Sequence, residues 1–273
     1  MDELVGFELD GGVAHIQFRR ADKHNSLTLE MFEAIADAGA RLHREAGARV
    51  AVLSGEGPSF CAGLDFSLMK MLLRGDDTTQ QVVTKLIEPD AGPENLAQRV
   101  AYTWKTAPVP VIGALHGAVF GGGFQIAMGC DLRIAAPDTK MSIMEIRYGL
   151  IPDMGITQTL PDIVPLDVAK ELAFSGREIE IDEIRALGLV TRVAEDPLAA
   201  ALSQARVIAR RSPDAVRAMK RLFNEAWRED ASGSLTIERE LQRNLIGTTN
   251  QMEAVNARLQ KRDPDFEDMT MVG

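Results

Sequence analysis

Gly117-Ala118-Val119-Phe120-Gly121-Gly122-Gly123-Phe124-Gln125-Ile126-Ala127-Met128-Gly129-Cys130-Asp131 follows the apolar run Val109-Pro110-Val111-Ile112-Gly113-Ala114-Leu115. The run reads as a buried strand, and the three consecutive glycines open a segment patterned as a helix. Glycine lets the backbone approach a ligand closely, and a helix N-terminus leaves its first N–H groups unpaired. A strand, a glycine turn and a helix in that order therefore predict an α/β unit whose turn can receive a developing negative charge.

The surrounding chain repeats this rhythm. Further short apolar runs at Val13 to Phe18, Val50 to Leu53 and Leu132 to Ala135 read as strands. Ser26-Leu27-Thr28-Leu29-Glu30 supplies a capping-type start, after which Met31, Ile35, Ala38 and Leu42 recur at helical spacing. Alternating strands and helices predict an α/β architecture, with no strict period to mark a solenoid. The segment from Lys70 to Thr106 is less regular. It has an apolar cluster at Met69, Met71, Leu72 and Leu73, a break at Gly75 to Thr79, and a loop over Glu88 to Asn95 that ends in a helix start. After Ala194-Glu195-Asp196-Pro197 the pattern is almost wholly helical. Ser212-Pro213-Asp214 marks one helix start, and a last helix spans about Asn250 to Lys261. The expected division is residues 1–195 for a core carrying the site and 196–273 for a helical region.

Composition narrows the function. The 273 residues are 45% hydrophobic and 26% charged, enough for a sizeable core. A formal net charge of -10 and a pI near 5.0 argue against a nucleic-acid or anionic-membrane surface. Two cysteines, Cys61 and Cys130, make neither a disulfide framework nor a zinc site; they read as buried apolar residues in a reducing compartment. The acidic N-terminus, Met1-Asp2-Glu3-Leu4, lacks the layout of a signal peptide. Met271-Val272-Gly273 is not a peroxisomal tripeptide. A cytoplasmic protein is the expectation.

A second turn, Pro58-Ser59-Phe60-Cys61-Ala62-Gly63-Leu64-Asp65, precedes the triple glycine, and Met141-Ser142-Ile143-Met144-Glu145-Ile146-Arg147-Tyr148-Gly149-Leu150-Ile151-Pro152 follows it. In this order the three segments resemble those of the enoyl-CoA hydratase/isomerase (crotonase) family, and the likeness extends to the ending Lys261 to Phe266. The resemblance implies a spiral core of stacked ββα turns and a helical C-terminal region that forms trimers or dimers of trimers. It implies an acyl-CoA thioester substrate, which brings its own coenzyme A, and neither a cofactor nor a metal.

It also implies roles. The backbone N–H groups of Leu64 and Gly122 would form an oxyanion hole, each donor worth about 3 to 4 kcal/mol in comparable sites. Glu145, amid apolar residues, would be the base, with Met144 in place of the family's usual proline. Lys23 and Ser26 would contact coenzyme A, Ala62 and Asp65 would flank its thiol arm, and Gly121 and Met144 would line the substrate site.

One departure decides between reactions. Hydratases of the family place a second glutamate where this chain has Gln125, and an amide orients water but does not exchange a proton at neutral pH. Asp153, eight residues past Glu145, matches an aspartate of the dienoyl-CoA isomerases, which also carry an acid at the Gln125 position, so the match is partial; its other reading is the cap of a following turn. Glu145 has a bland reading too, as a surface partner of Arg147. The expectation is a shift of a carbon–carbon double bond. Hydration with Gln125 orienting the water, or a non-catalytic acyl-CoA-binding relative, are the alternatives.

Overall fold

The computed structural model describes residues 3–89 and 92–268. The C-terminal tripeptide, the first two residues, and Asp90 and Ala91 of the expected loop lie outside them.

Strands β1 (Val5–Asp10) and β2 (Val13–Phe18) form an antiparallel hairpin, and helix α1 (Leu29–Arg44) leads to β3 (Val50–Gly55). Three helices follow: α2 (Phe66–Leu72), α3 (Asp77–Ile87) and α4 (Leu96–Thr106). Then come β4 (Val111–Leu115), β5 (Ala118–Phe120), α5 (Gly122–Gly129), β6 (Leu132–Ala135) and β7 (Lys140–Ser142). Short elements complete the core: α6 (Ile156–Thr159), α7 (Leu166–Ser175), β8 (Ile179–Glu180), α8 (Ile181–Ala186) and β9 (Arg192–Val193). The chain ends in α9 (Pro197–Ala209), α10 (Pro213–Ala226), α11 (Ala231–Leu245) and α12 (Thr249–Gln260).

One sheet has the order β1-β2-β3-β4-β6-β9, parallel from β2 onward, and a smaller one the order β5-β7-β8. A strand of each sheet in succession, then a helix, makes one turn of a spiral. β4 and β5 stack in parallel on β6 and β7 of the next turn. The fold is the α/β spiral that the sequence resemblance implies. The four apolar runs read as strands all lie in the six-stranded sheet. The short strands of the small sheet escaped the reading because two or three residues carry no resolvable period.

Local chemistry sets the helix starts. Thr28 accepts from the Met31 N–H, Asn95 and Gln98 form a reciprocal capping box, and Ser212 caps α10 ahead of Pro213. The large core lies between the sheets and α1, α4 and α5, with Phe18, Leu53, Phe60, Trp104 and Phe124 fully enclosed. A second apolar layer joins Val50, Val52 and Ile112 to Ala201 and Ala205 of α9. α9 thus packs on the main sheet although it falls beyond residue 195; the helices after it stand apart from that layer. Both cysteines are buried, and burial pushes each thiol up to about 12. Among the described residues no helix is long and apolar enough to cross a membrane.

Candidate active site

The two glycine-bearing turns meet. The Cys61 N–H donates to the Ala118 carbonyl at 3.2 Å and the Phe120 N–H to the Cys61 carbonyl at 3.0 Å, so the first turn runs beside β5. Gly63 has φ +86°; a Cβ there would lie 2.7 Å from the Phe120 carbonyl oxygen and 3.5 Å from the Gly122 nitrogen. A Cβ on Gly123 would lie 2.2 Å from the Cys61 carbonyl oxygen. Glycine is required at both places because backbone packs on backbone.

This contact brings two free donors together. Leu27 donates to Gly63 and Asp65 donates to Leu27, which fixes the peptides on either side of Leu64. Gly121, at φ +51°, turns the chain into α5 and anchors its own N–H on the Ser142 carbonyl at 2.9 Å. The N–H groups of Leu64 and Gly122 have no hydrogen-bond partner among the described residues. Gly122 is the first residue of α5, so its N–H is one that no helix satisfies.

Both residues line a cavity of about 740 Å³. Glu145 enters it from a tight helical turn, Glu145–Tyr148, that follows β7 and ends at Gly149 with φ +70°. Its Oε1 accepts from Gln125 Nε2 at 2.7 Å, and its enclosed Oε2 has no partner among the described residues. Burial pushes the Glu145 carboxyl above its ordinary value, the Asp153 charge adds to this, and the Gln125 hydrogen bond opposes it. Gln125 is itself buried, and its Oε1 accepts from the Met154 N–H at 2.8 Å. Asp153 lines the same cavity and is raised above its ordinary value by desolvation. The bland readings of both acids fail. Arg147 pairs with Glu178 at 3.3 Å, and the turn after Asp153 begins at Gly155 with no side-chain cap.

Ala62, Gly121 and Met144 also line the cavity, whereas Lys23, Ser26 and Asp65 do not. Lys23 is exposed on a short turn beside the site. Ser26 and Asp65 are joined: Ser26 Oγ donates to Asp65 Oδ2 at 2.7 Å, and Arg20 Nη1 donates to the same oxygen at 2.6 Å. Asp65 also accepts from the Ser67 N–H and so caps α2. Burial alone would raise its carboxyl, but the bonds from Ser67, Arg20 and Ser26 outweigh that and hold it well below the usual range. Arg20 opens the loop that the resemblance linked to coenzyme A but was given no role there; it ties this network to Asp65, the residue after Leu64. Its bonds to Ser26 are local, but the one to Asp65 spans 45 residues, and nothing in the local pattern marks it.

The histidines hold structure. His15 bonds Ser54, His24 bonds Ser59, His43 bonds the Thr103 carbonyl, and His116 bonds the Gly57 carbonyl. Among the described residues no cluster of acidic, histidine or cysteine side chains could hold a metal ion.

Two preorganised N–H donors facing a buried carboxylate can hold charge on a carbonyl oxygen while a proton moves nearby, the arrangement of an enzyme that passes through an enolate. The family model described as enoyl-CoA hydratase/isomerase matches residues 8–269, and the chain belongs to that family. Methylglutaconyl-CoA hydratase of Rattus norvegicus is 30% identical over 268 residues, 95% of this chain and 81% of that one. Human Delta(3,5)-Delta(2,4)-dienoyl-CoA isomerase is 33% identical over 76% of this chain and 64% of that one. The structure of enoyl-CoA hydratase from Bacillus anthracis superposes with a TM-score of 0.86 at 28% identity, covering 97% of this chain and 100% of that one. The protein is an acyl-CoA enzyme of the hydratase/isomerase family with the crotonase-like fold.

Proposed function

We propose that this enzyme shifts a carbon–carbon double bond of an enoyl- or dienoyl-CoA. The observation that carries this reading is the commitment of Gln125 at both ends, to Glu145 and to the Met154 N–H. The position that would supply the second acid/base of a hydratase is a neutral side chain fixed as a brace. Losing such a group typically costs 10²–10⁴-fold.

In the proposed reaction the thioester oxygen sits between the Leu64 and Gly122 N–H groups. Glu145 removes the proton from the carbon next to the thioester, and the C–H electron pair moves into the enolate. The proton returns two carbons further along as the double bond re-forms in conjugation with the thioester. A dienoyl substrate needs delivery further along the chain, and Asp153 serves that end. Every step is a proton transfer, so the reading calls for no redox group or metal. Burial of Glu145 supports it, because a raised carboxyl is a stronger base once ionised.

Hydration is the second reading. One N–H of the Gln125 amide has no partner among the described residues and could hold a water, and the rat relative is a hydratase by name. Incubation with crotonyl-, 3-enoyl- and 3,5-dienoyl-CoA, followed by identification of the products, separates the two. Faster hydration of crotonyl-CoA than isomerisation of either other substrate would overturn the isomerase assignment. No turnover of any would leave the acyl-CoA-binding alternative.

Assembly into trimers, singly or in pairs, belongs to the same proposal. Phe223, Trp227, Leu235 and Leu259 on α10 to α12 are more than half exposed, an apolar surface of the kind that subunits cover. Light scattering showing a stable monomer would remove it.

A further inference from the structure

The acyl end of the cavity is walled by Phe32 of α1, Met69 and Leu72 of α2, Val83 and Leu86 of α3, and Ala97 of α4. Among the described residues that line the whole cavity, the only carboxyl, amine, guanidinium or imidazole groups are the carboxyls of Glu145 and Asp153. No lysine, arginine or histidine among the described residues lines it. At this end Asn95 is committed to helix structure through both side-chain atoms and Gln98 through its oxygen. Asn95 Oδ1 accepts from the Gln98 N–H at 2.8 Å, Asn95 Nδ2 donates to the Ile87 carbonyl at 3.0 Å, and Gln98 Oε1 accepts from the Asn95 N–H at 3.0 Å. The apolar lining continues to the rim, where Phe66 and Ile151 are 67% and 75% exposed.

An anionic group entering this space would lose its water and find no cation among the lining residues, only two acidic side chains; an unpaired buried charge is among the costliest events in a protein. A hydrocarbon chain gains instead with each methylene it buries. We infer that the enzyme selects an uncharged hydrocarbon acyl chain, longer than four carbons and laid between α2 and α3, and rejects acyl groups that end in a carboxylate. In this it parts from the rat relative, whose named substrate carries a second carboxyl group.

The inference rests on the reading of this cavity as the acyl-CoA site, so its test uses unreactive saturated thioesters and needs no turnover. Calorimetric titration of the full-length protein with free coenzyme A, butanoyl-CoA, octanoyl-CoA and glutaryl-CoA is the experiment. About 0.8 kcal/mol per buried methylene corresponds to about fourfold in affinity. Octanoyl-CoA should therefore bind at least tenfold more tightly than butanoyl-CoA, and glutaryl-CoA more weakly than butanoyl-CoA. Glutaryl-CoA binding as tightly as octanoyl-CoA, or no gain from butanoyl to octanoyl, overturns the inference while leaving the acyl-CoA site intact. Failure of every acyl-CoA to bind more tightly than coenzyme A would overturn the site itself. A Leu72→Arg variant places a cation on the α2 wall and should narrow the gap between glutaryl- and octanoyl-CoA by tenfold or more. An unchanged gap in a folded variant would mean that the chain runs elsewhere.

Discussion

Gln125 and Glu145 are joined by a 2.7 Å hydrogen bond in which a buried neutral amide donates to the carboxylate proposed as the base. The same amide accepts from the backbone of Met154, next to Asp153. One side chain thereby fixes the position of one acid and of the peptide beside the other. Restoring the family's second glutamate by Gln125→Glu would set two carboxylates at hydrogen-bond distance, and such a pair shares a proton because both cannot ionise readily. The variant should gain hydration of crotonyl-CoA, and product analysis by chromatography checks it. An absence of any gain in a folded variant would contradict the proposed reason for disfavouring hydration.

Glu145→Gln keeps the shape and removes the proton carrier. Turnover should fall by 10²-fold or more while affinity for a saturated acyl-CoA changes little. Retention of more than about a tenth of the activity would sink the assignment of Glu145 as base.

The same variant should be more stable than wild type at pH 7 to 8. The folded-state pKa of Glu145 is raised above its reference value of 4.5, so the group loses stability as pH rises through the folded value. Removing it therefore raises Tm at neutral pH, by about 2–4 °C for each kcal/mol in a chain of this size. The advantage should shrink as pH falls toward 4.5. Thermal melts at several pH values measure this, and a lower Tm for the variant at pH 7.5 would refute it.

Asp153→Asn removes a negative charge that helps raise Glu145. A base must be ionised to act, so the acid limb of kcat/KM for a simple 3-enoyl-CoA should move to lower pH in the variant. Its loss of activity should be larger with 3,5-dienoyl-CoA than with the 3-enoyl substrate. An unmoved limb would show that the two acids are not coupled.

Asp65→Asn tests whether the Arg20–Asp65–Ser26 network positions Leu64 or binds coenzyme A. Loss of the charge loosens the α2 cap and the bond to Arg20, and the Leu64 N–H with them. The expected result is a fall in kcat of about tenfold with KM within twofold of wild type. A rise in KM at constant kcat would return Asp65 to the coenzyme A contact that the sequence resemblance implied.

The sequence by itself determined the architecture. Val13 to Phe18, Val50 to Leu53, Val109 to Leu115 and Leu132 to Ala135 are apolar enough to be buried strands, and Thr28, Asn95 and Ser212 carry their capping chemistry locally. It also marked Gly63, Gly121 and Gly123, since runs of glycine at turns signal close backbone approach whatever the approaching partner is. Tertiary structure alone decided what those turns touch. The meeting of Cys61 with Gly123, the tie of Arg20 to Asp65 and the burial that raises Glu145 join residues 62, 45 and 20 or more positions apart. Ser26 and Asp65 show the limit: their motif positions pointed to a ligand, and only the fold shows that they also bond each other. The uncharged character of the acyl wall was equally hidden, because it depends on which faces of four helices turn inward, and only packing sets that.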